Sequence, residues 1–104
     1  MALTDLAAVV AEFPFAYLVT VAEDGRPRVL AVVPAVDDGG RLLVADAGRG
    51  APRNATDRPA VTLVFPPPAP DGMSLLVDGD ATVDGSAVTV TPTWAVRHRA
   101  ALSR

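Results

Sequence analysis

The sequence predicts one small domain, residues 1–104, mainly β, in which six antiparallel strands form a closed or nearly closed barrel. One short helix precedes the first strand and another follows the third. Three observations lead there. A chain of 104 residues, half of them apolar and 20% charged, can bury one core but not two. Short runs rich in valine, leucine and threonine alternate with clusters of Asp, Gly and Pro, the residues that turn strands back on themselves. No segment repeats, and closing the sheet removes the unpaired edges that open sheets must protect.

Taken in order, Thr4 is placed as the cap of the first helix, with Asp5 at the positive end of its dipole. Leu6, Val9, Val10 and Phe13 recur on one helical face, and Pro14 ends the helix. Phe15 to Ala22 is rich in aromatic and β-branched residues, Glu23-Asp24-Gly25-Arg26 carries turn chemistry, and Arg28 to Val36 is extended again, which predicts a hairpin. Asp37-Asp38-Gly39-Gly40 is a second turn, and Arg41 to Ala45 a third strand that closes a meander. Gly48, Gly50 and Pro52 then punctuate a loop that leads into one or two helical turns over Arg53 to Arg58, stopped at Pro59. Ala60 to Phe65 is an apolar strand, and the Pro66-Pro67-Pro68-Ala69-Pro70 run after it reads as a stiff exposed connection. Met73 to Val77 and Ala81 to Val83 flank Asp78-Gly79-Asp80, where glycine marks a bulge or bend in one long strand. Gly85 ends it, Ala87 to Thr91 is the last strand, and Thr93 to Leu102 forms a short helix or an ordered tail.

Composition excludes several chemistries. The chain has no cysteine, which removes disulfides, thiolate catalysis and cysteine-ligated metals, and points to a reducing compartment. All nine basic residues are arginine, so lysine-dependent sites are absent. A net charge of −3 argues against a nucleic-acid surface. No apolar run approaches the ~20 residues of a membrane span and no signal-peptide pattern stands at the start, so the expected location is the cytoplasm.

The single histidine, His98, lies between Arg97 and Arg99 and reads as a surface side chain. Asp37, Asp38, Asp78 and Asp80 lack the spacing of a calcium loop and read as turn residues. Two concentrations remain. Arg49, Arg53 and Arg58 follow the third strand, and guanidinium forks suit a phosphate. Trp94 and Arg97 offer an indole and a guanidinium that could cover a planar ring.

The order of these words along the chain resembles the pyridoxamine 5'-phosphate oxidase-like family. The words are Asp24-Gly25-Arg26-Pro27, the Asp-Gly turn, the Gly-Arg-Gly loop, Arg53-Asn54, Asp57-Arg58-Pro59-Ala60-Val61-Thr62-Leu63-Val64 and Asp78-Gly79-Asp80-Ala81. The resemblance runs from about Leu3 to about Trp94 and implies the FMN-binding split barrel, a homodimer and oxidoreductase activity. It further implies FMN, or in relatives the deazaflavin F420, in a groove between subunits. The ring would lie along Leu30, Ala31, Val32, Ala45 and Asp46, and the phosphate by Arg49, Arg53 and Asn54, with Arg28 available to it. Trp94 and Arg97 resemble late residues that reach the partner's flavin in longer members. Two positions depart from the pattern: Ala51 stands where a lysine is usual, and Leu30 where the second strand often carries arginine. Pyridoxamine phosphate oxidation is not expected, because the longer C-terminal region that closes that pocket has no counterpart. In such enzymes the flavin carries the hydride chemistry, so no catalytic side chain need stand out. A cofactor-free ligand-binding or dimerising module of the same fold is the remaining alternative.

Overall fold

The structure, a computed structural model, describes residues 1–101. The chain starts with a 3-10 turn, Leu3–Asp5, continued by α1 (Leu6–Val10). Neither Thr4 nor any other side chain caps these turns; the helix is held by burial of Leu6, Val9 and Val10 instead. Phe13 follows and packs against Phe65, ring centroids 5.6 Å apart.

Seven strands follow: β1 (Ala16–Val21), β2 (Pro27–Val32), β3 (Ala35–Val36), β4 (Leu42–Val44), β5 (Ala60–Phe65), β6 (Met73–Asp84) and β7 (Ala87–Arg99). A second helix, α2 (Gly50–Asp57), lies between β4 and β5 and begins three residues earlier than the sequence implied. All neighbouring strands run antiparallel in the order β2-β1-β5-β6-β7-β4-β3. The two outermost strands, β2 and β3, are separated in the chain only by Val33 and Pro34, so the sheet curls until its ends are joined covalently. This is the predicted split barrel, with one strand more than expected.

The additional strand comes from Pro34. It cannot donate to a ladder and it restricts Val33, so the run Arg28 to Val36 breaks into β2 and β3. The predicted meander forms only through the two halves of the broken strand, β2 pairing with β1 and β3 with β4, whose other side pairs with β7. The predicted hairpin of β1 and β2 does form, with Leu18 opposite Leu30 and Ala16 opposite Val32.

A second correction concerns the C-terminal segment. Residues 93–99 are neither helix nor tail but the second half of β7, paired along β6 as far as Met73 opposite Arg99; Leu102 lies outside the described residues. Pro92 is tolerated inside this strand because the register shifts there, Asp78 facing Trp94 while Gly79 faces Pro92, which leaves Thr93 as the extra residue. Gly79 is required at that point: a Cβ would lie 2.5 Å from the Thr91 carbonyl oxygen and 2.6 Å from Val90 Cγ1.

Alternation sorts the side chains. Leu18, Leu63, Phe65, Leu75, Val77, Val88 and Val90 point inward and are fully buried with α1 in one continuous core. On the outer face, registered pairs align Ala31, Tyr17, Val64, Leu76 and Val96 in one row, and Val29, Val19, Thr62, Asp78 and Trp94 in the next. Only Thr62 and Asp78 are polar there, and they satisfy each other, the hydroxyl donating to the carboxylate at 2.6 Å. None of the described helices is long and apolar enough to cross a membrane.

Candidate functional site

β2 is an edge strand and its outer edge is open. Ala22 N–H donates to the Arg26 carbonyl at 2.8 Å, which makes residues 22 and 26 a hydrogen-bonded pair. Antiparallel alternation then assigns the bonded pairs to Thr20–Arg28, Leu18–Leu30 and Ala16–Val32, so the backbone groups of Val29 and Ala31 point away from β1. Facing that edge is the segment from Val44 to Ala51.

Two adjoining cavities lie between these walls. One, about 380 Å³, is lined by Phe15, Ala31, Val32 and Val33 on one side and Val44, Ala45 and Asp46 on the other. The next, about 450 Å³, is lined by Arg28, Val29 and Leu30 against residues 47–51, with Thr20 and Asn54 at its base. Together they form one groove with an apolar half and a cationic half. Each volume falls within the ~300–1,000 Å³ of small-molecule sites.

Four of the sequence-predicted residues, Ala31, Val32, Ala45 and Asp46, meet in the apolar half, and four more, Arg28, Leu30, Arg49 and Asn54, in the cationic half. Arg53 sits one turn further on, in an open hollow of about 410 Å³ that shares Gly48 and Arg49 with the groove and is also lined by Thr56 and Ser86. Trp94 and Arg97 line none of these spaces. Trp94 stands half exposed in the outer-face row, and Arg97 donates to both oxygens of Glu12, at 2.8 and 3.5 Å, tying β7 to the end of α1.

The arginines divide by what already holds them. Arg58 is committed to structure. The β1–β5 pairing stops at Val19 opposite Thr62, which leaves the Val21 carbonyl without a strand partner, and Arg58 Nε donates to it at 2.7 Å. Arg28 has Asp24 at 3.7 Å, with both side chains more than half exposed, so water screens the pair. Among the described residues, Arg49 and Arg53 make no ion pair, and these guanidiniums are free for an anion.

Asn54 is buried, and its Nδ2 donates to Thr20 Oγ1 at 3.1 Å, joining α2 to β1 beneath the groove. No buried side-chain polar atom lacks a partner among the described residues, so Asn54 Oδ1, which makes no bond within the protein, keeps contact with solvent. Asn54 lines the groove, and Oδ1 is the amide atom left without a partner inside the protein. Thr20 was missed in the sequence although its parity signals it: it shares the inward face of β1 with Ala16 and Leu18, and a hydroxyl there needs a partner. Asp46 accepts the Gly48 N–H at 3.0 Å, which shapes the turn leading to Arg49. Among the described residues, no group of His, Cys, Asp and Glu could hold a metal.

No protein-family profile matches the chain. Uncharacterised proteins of Mycobacterium bovis and Mycobacterium tuberculosis are each 38% identical to it over 110 residues, covering 90% of this chain and 77% of theirs. The chain belongs to their family. Solved structures extend the likeness of fold. An F420 reductase superposes with a TM-score of 0.69 at 22% identity, covering 85% of this chain and 94% of its own. A Clostridium acetobutylicum protein of the pyridoxinephosphate oxidase family gives 0.72 at 14%, covering 93% and 87%. HutZ, the heme storage protein from Vibrio cholerae, gives 0.65 at 17%, covering 94% and 96%. This chain therefore shares the split-barrel fold of the pyridoxamine 5'-phosphate oxidase-like proteins, the fold that the Asp-Gly-Arg-Pro and Arg-Asn words implied.

Proposed function

We propose that this protein is a cytoplasmic, homodimeric split barrel that holds FMN in the groove between β2 and residues 44–51 and acts as an oxidoreductase on a small molecule. The observation that carries the reading is the division of one groove into an apolar half beside an open backbone edge and a cationic half. A flat ring with imide-type edges fits the first, because the Val29 and Ala31 backbone offers both donors and acceptors, and Asp46 and Asn54 add acceptors. A phosphate fits the second, since Arg49 and Arg28 line it and Arg53 lies beyond. Ala51 in place of lysine leaves that charge to arginine, which can grip a phosphate bidentately.

When bound, the flavin supplies hydride chemistry. The chain's own part is binding and exclusion of water. Val32, Val33 and Ala45 make the ring's surroundings apolar, and the Thr20–Asn54 bond fixes the floor. Dimerisation is supported by the outer face, where two five-strand rows of mostly apolar side chains are left uncovered, including Val29 at 62% and Trp94 at 50% exposure. Trp94, on the outer face and outside the groove of its own chain, stays in the reading as a residue that a second copy would bring to its rim; Arg97 projects from the opposite face of β7 and is held by Glu12.

F420 is a second reading. It is favoured by the Arg49–Arg53 cavity, which continues the groove past the phosphate position and suits a longer anionic tail, and by the likeness to an F420 reductase. Heme is less well served, because the only histidine, His98, stands on β7 and lines no part of the groove.

Titration with FMN and separately with F420, followed by thermal unfolding, tests the reading. The bound cofactor raises Tm, and Arg49→Ala weakens it at least tenfold, about the loss of one charge-assisted bond. Failure of both cofactors to shift Tm, in a protein that sediments as a monomer, would remove the redox assignment and leave a cofactor-free binding module.

A further inference from the structure

A fourth cavity, about 350 Å³, opens beneath α1 and adjoins the groove, sharing Phe15 and Val33 with its apolar half. Its ten lining residues carry no charge and no side-chain polar atom. All three phenylalanines of the chain, Phe13, Phe15 and Phe65, are among them. Pro14 and Pro34 are among them too, and neither has an N–H to offer. Its volume is roughly twice the ~150 Å³ that suffices to hold benzene in an engineered cavity.

We infer that this hollow binds the uncharged one- or two-ring portion of the molecule that reacts in the groove. Three features fix the class of occupant. The aromatic walls favour another ring, offset or edge-on. A charged group would lose hydration with no charged or polar side chain, only main-chain atoms, to replace it. Continuity through Phe15 and Val33 leaves the occupant's other end in the groove, beside the place assigned to the flat cofactor. The Glu12–Arg97 pair, with Glu12 between the lining residues Ala11 and Phe13, anchors the roof to β7. The substrate assignment rests on the redox reading above; the binding of an apolar ring does not.

The test uses naphthalene as the uncharged probe and naphthalene-1-sulfonate as its anionic counterpart, titrated into the full-length protein with amide NMR shifts as readout. Naphthalene is expected to move Phe13, Phe15, Val33 and Phe65, with the sulfonate at least tenfold weaker. Ala11→Phe, at an exposed position that lines the hollow but not the groove, should fill the space and weaken naphthalene at least tenfold while leaving FMN affinity unchanged. No binding of naphthalene, equal binding of the two probes, or binding that Ala11→Phe does not weaken would overturn the inference. Naphthalene binding in a protein that takes neither FMN nor F420 would overturn the substrate role while the apolar site itself stood.

Discussion

The bond between Asn54 and Thr20 is the most direct link between the stability of the barrel and the shape of the groove, and Thr20→Val isolates it. Valine keeps the branched shape on the inward face of β1 but removes the oxygen that Asn54 Nδ2 meets at 3.1 Å. Both residues are buried, Thr20 at 1% and Asn54 at 8% exposure, so water does not readily replace the lost acceptor. A buried donor left without its partner costs about 1–3 kcal/mol. For a domain of this size each kcal/mol moves Tm by about 4–8 °C, so a mid-range loss of ~2 kcal/mol lowers it by about 8–16 °C. Thermal unfolding of Thr20→Val, Asn54→Leu and the double variant closes the cycle. Removing both partners leaves no orphan, so the double variant should be more stable than the sum of the single losses predicts, with a coupling of roughly 1 kcal/mol or more. A Thr20→Val loss under ~0.5 kcal/mol, or additive single losses, would show that the pair does not tie α2 to β1.

Gly79→Ala forces a Cβ to 2.5 Å from the Thr91 carbonyl oxygen, in backbone that cannot swing aside, and should cost on the order of 3 kcal/mol. Gly85→Ala meets open space at a φ of +60° and should cost only about 1–2 kcal/mol; denaturant unfolding that ranks the two in the opposite order would refute the bulge geometry. Asp37 is held below the usual carboxylate range, first by the Arg41 backbone N–H and then, against a desolvation cost, by the Arg41 side chain. A lowered value means that its contribution to folding is present above the ordinary carboxylate range and is lost as pH falls through the depressed value. Carboxyl NMR titration should show the depression, and Arg41→Gln should reduce it without abolishing it.

What was legible in the sequence was local. The helical spacing of Leu6, Val9 and Val10, the Asp24-Gly25 and Asp37-to-Gly40 turns and the bend at Gly79 each follow from a few adjacent residues, and each is present. Pairings set by distant segments were not legible. Pro92 looks like a strand end, and only the register shift opposite Gly79, thirteen residues away, lets β7 continue to Arg99. Pro34 lay inside an apolar run whose two halves read alike, though one half bonds β1 and the other β4. The arginine cluster shows the same limit at the site. Arg49, Arg53 and Arg58 are equivalent by spacing, and the β1–β5 register, by leaving the Val21 carbonyl open, is what takes Arg58 out of the group.

β2 gathers the functional features because it is the strand with an unfinished edge. Exposed edges invite pairing with other chains unless something covers them, and β2 does not blunt its edge in the usual way: Val29, Leu30 and Ala31 are apolar and exposed, and no lysine is present. Its outward side chains continue the two apolar rows across β1, β5, β6 and β7, while its outward backbone faces the groove. On the reading proposed above, one strand takes two different covers, a protein surface on its side chains and a hydrogen-bonding ligand along its main chain. A dimer alone would cover the first and leave the second open. A ligand alone would satisfy the backbone and leave Val29 and Tyr17 in water, so the two requirements together favour a groove completed at an interface between copies.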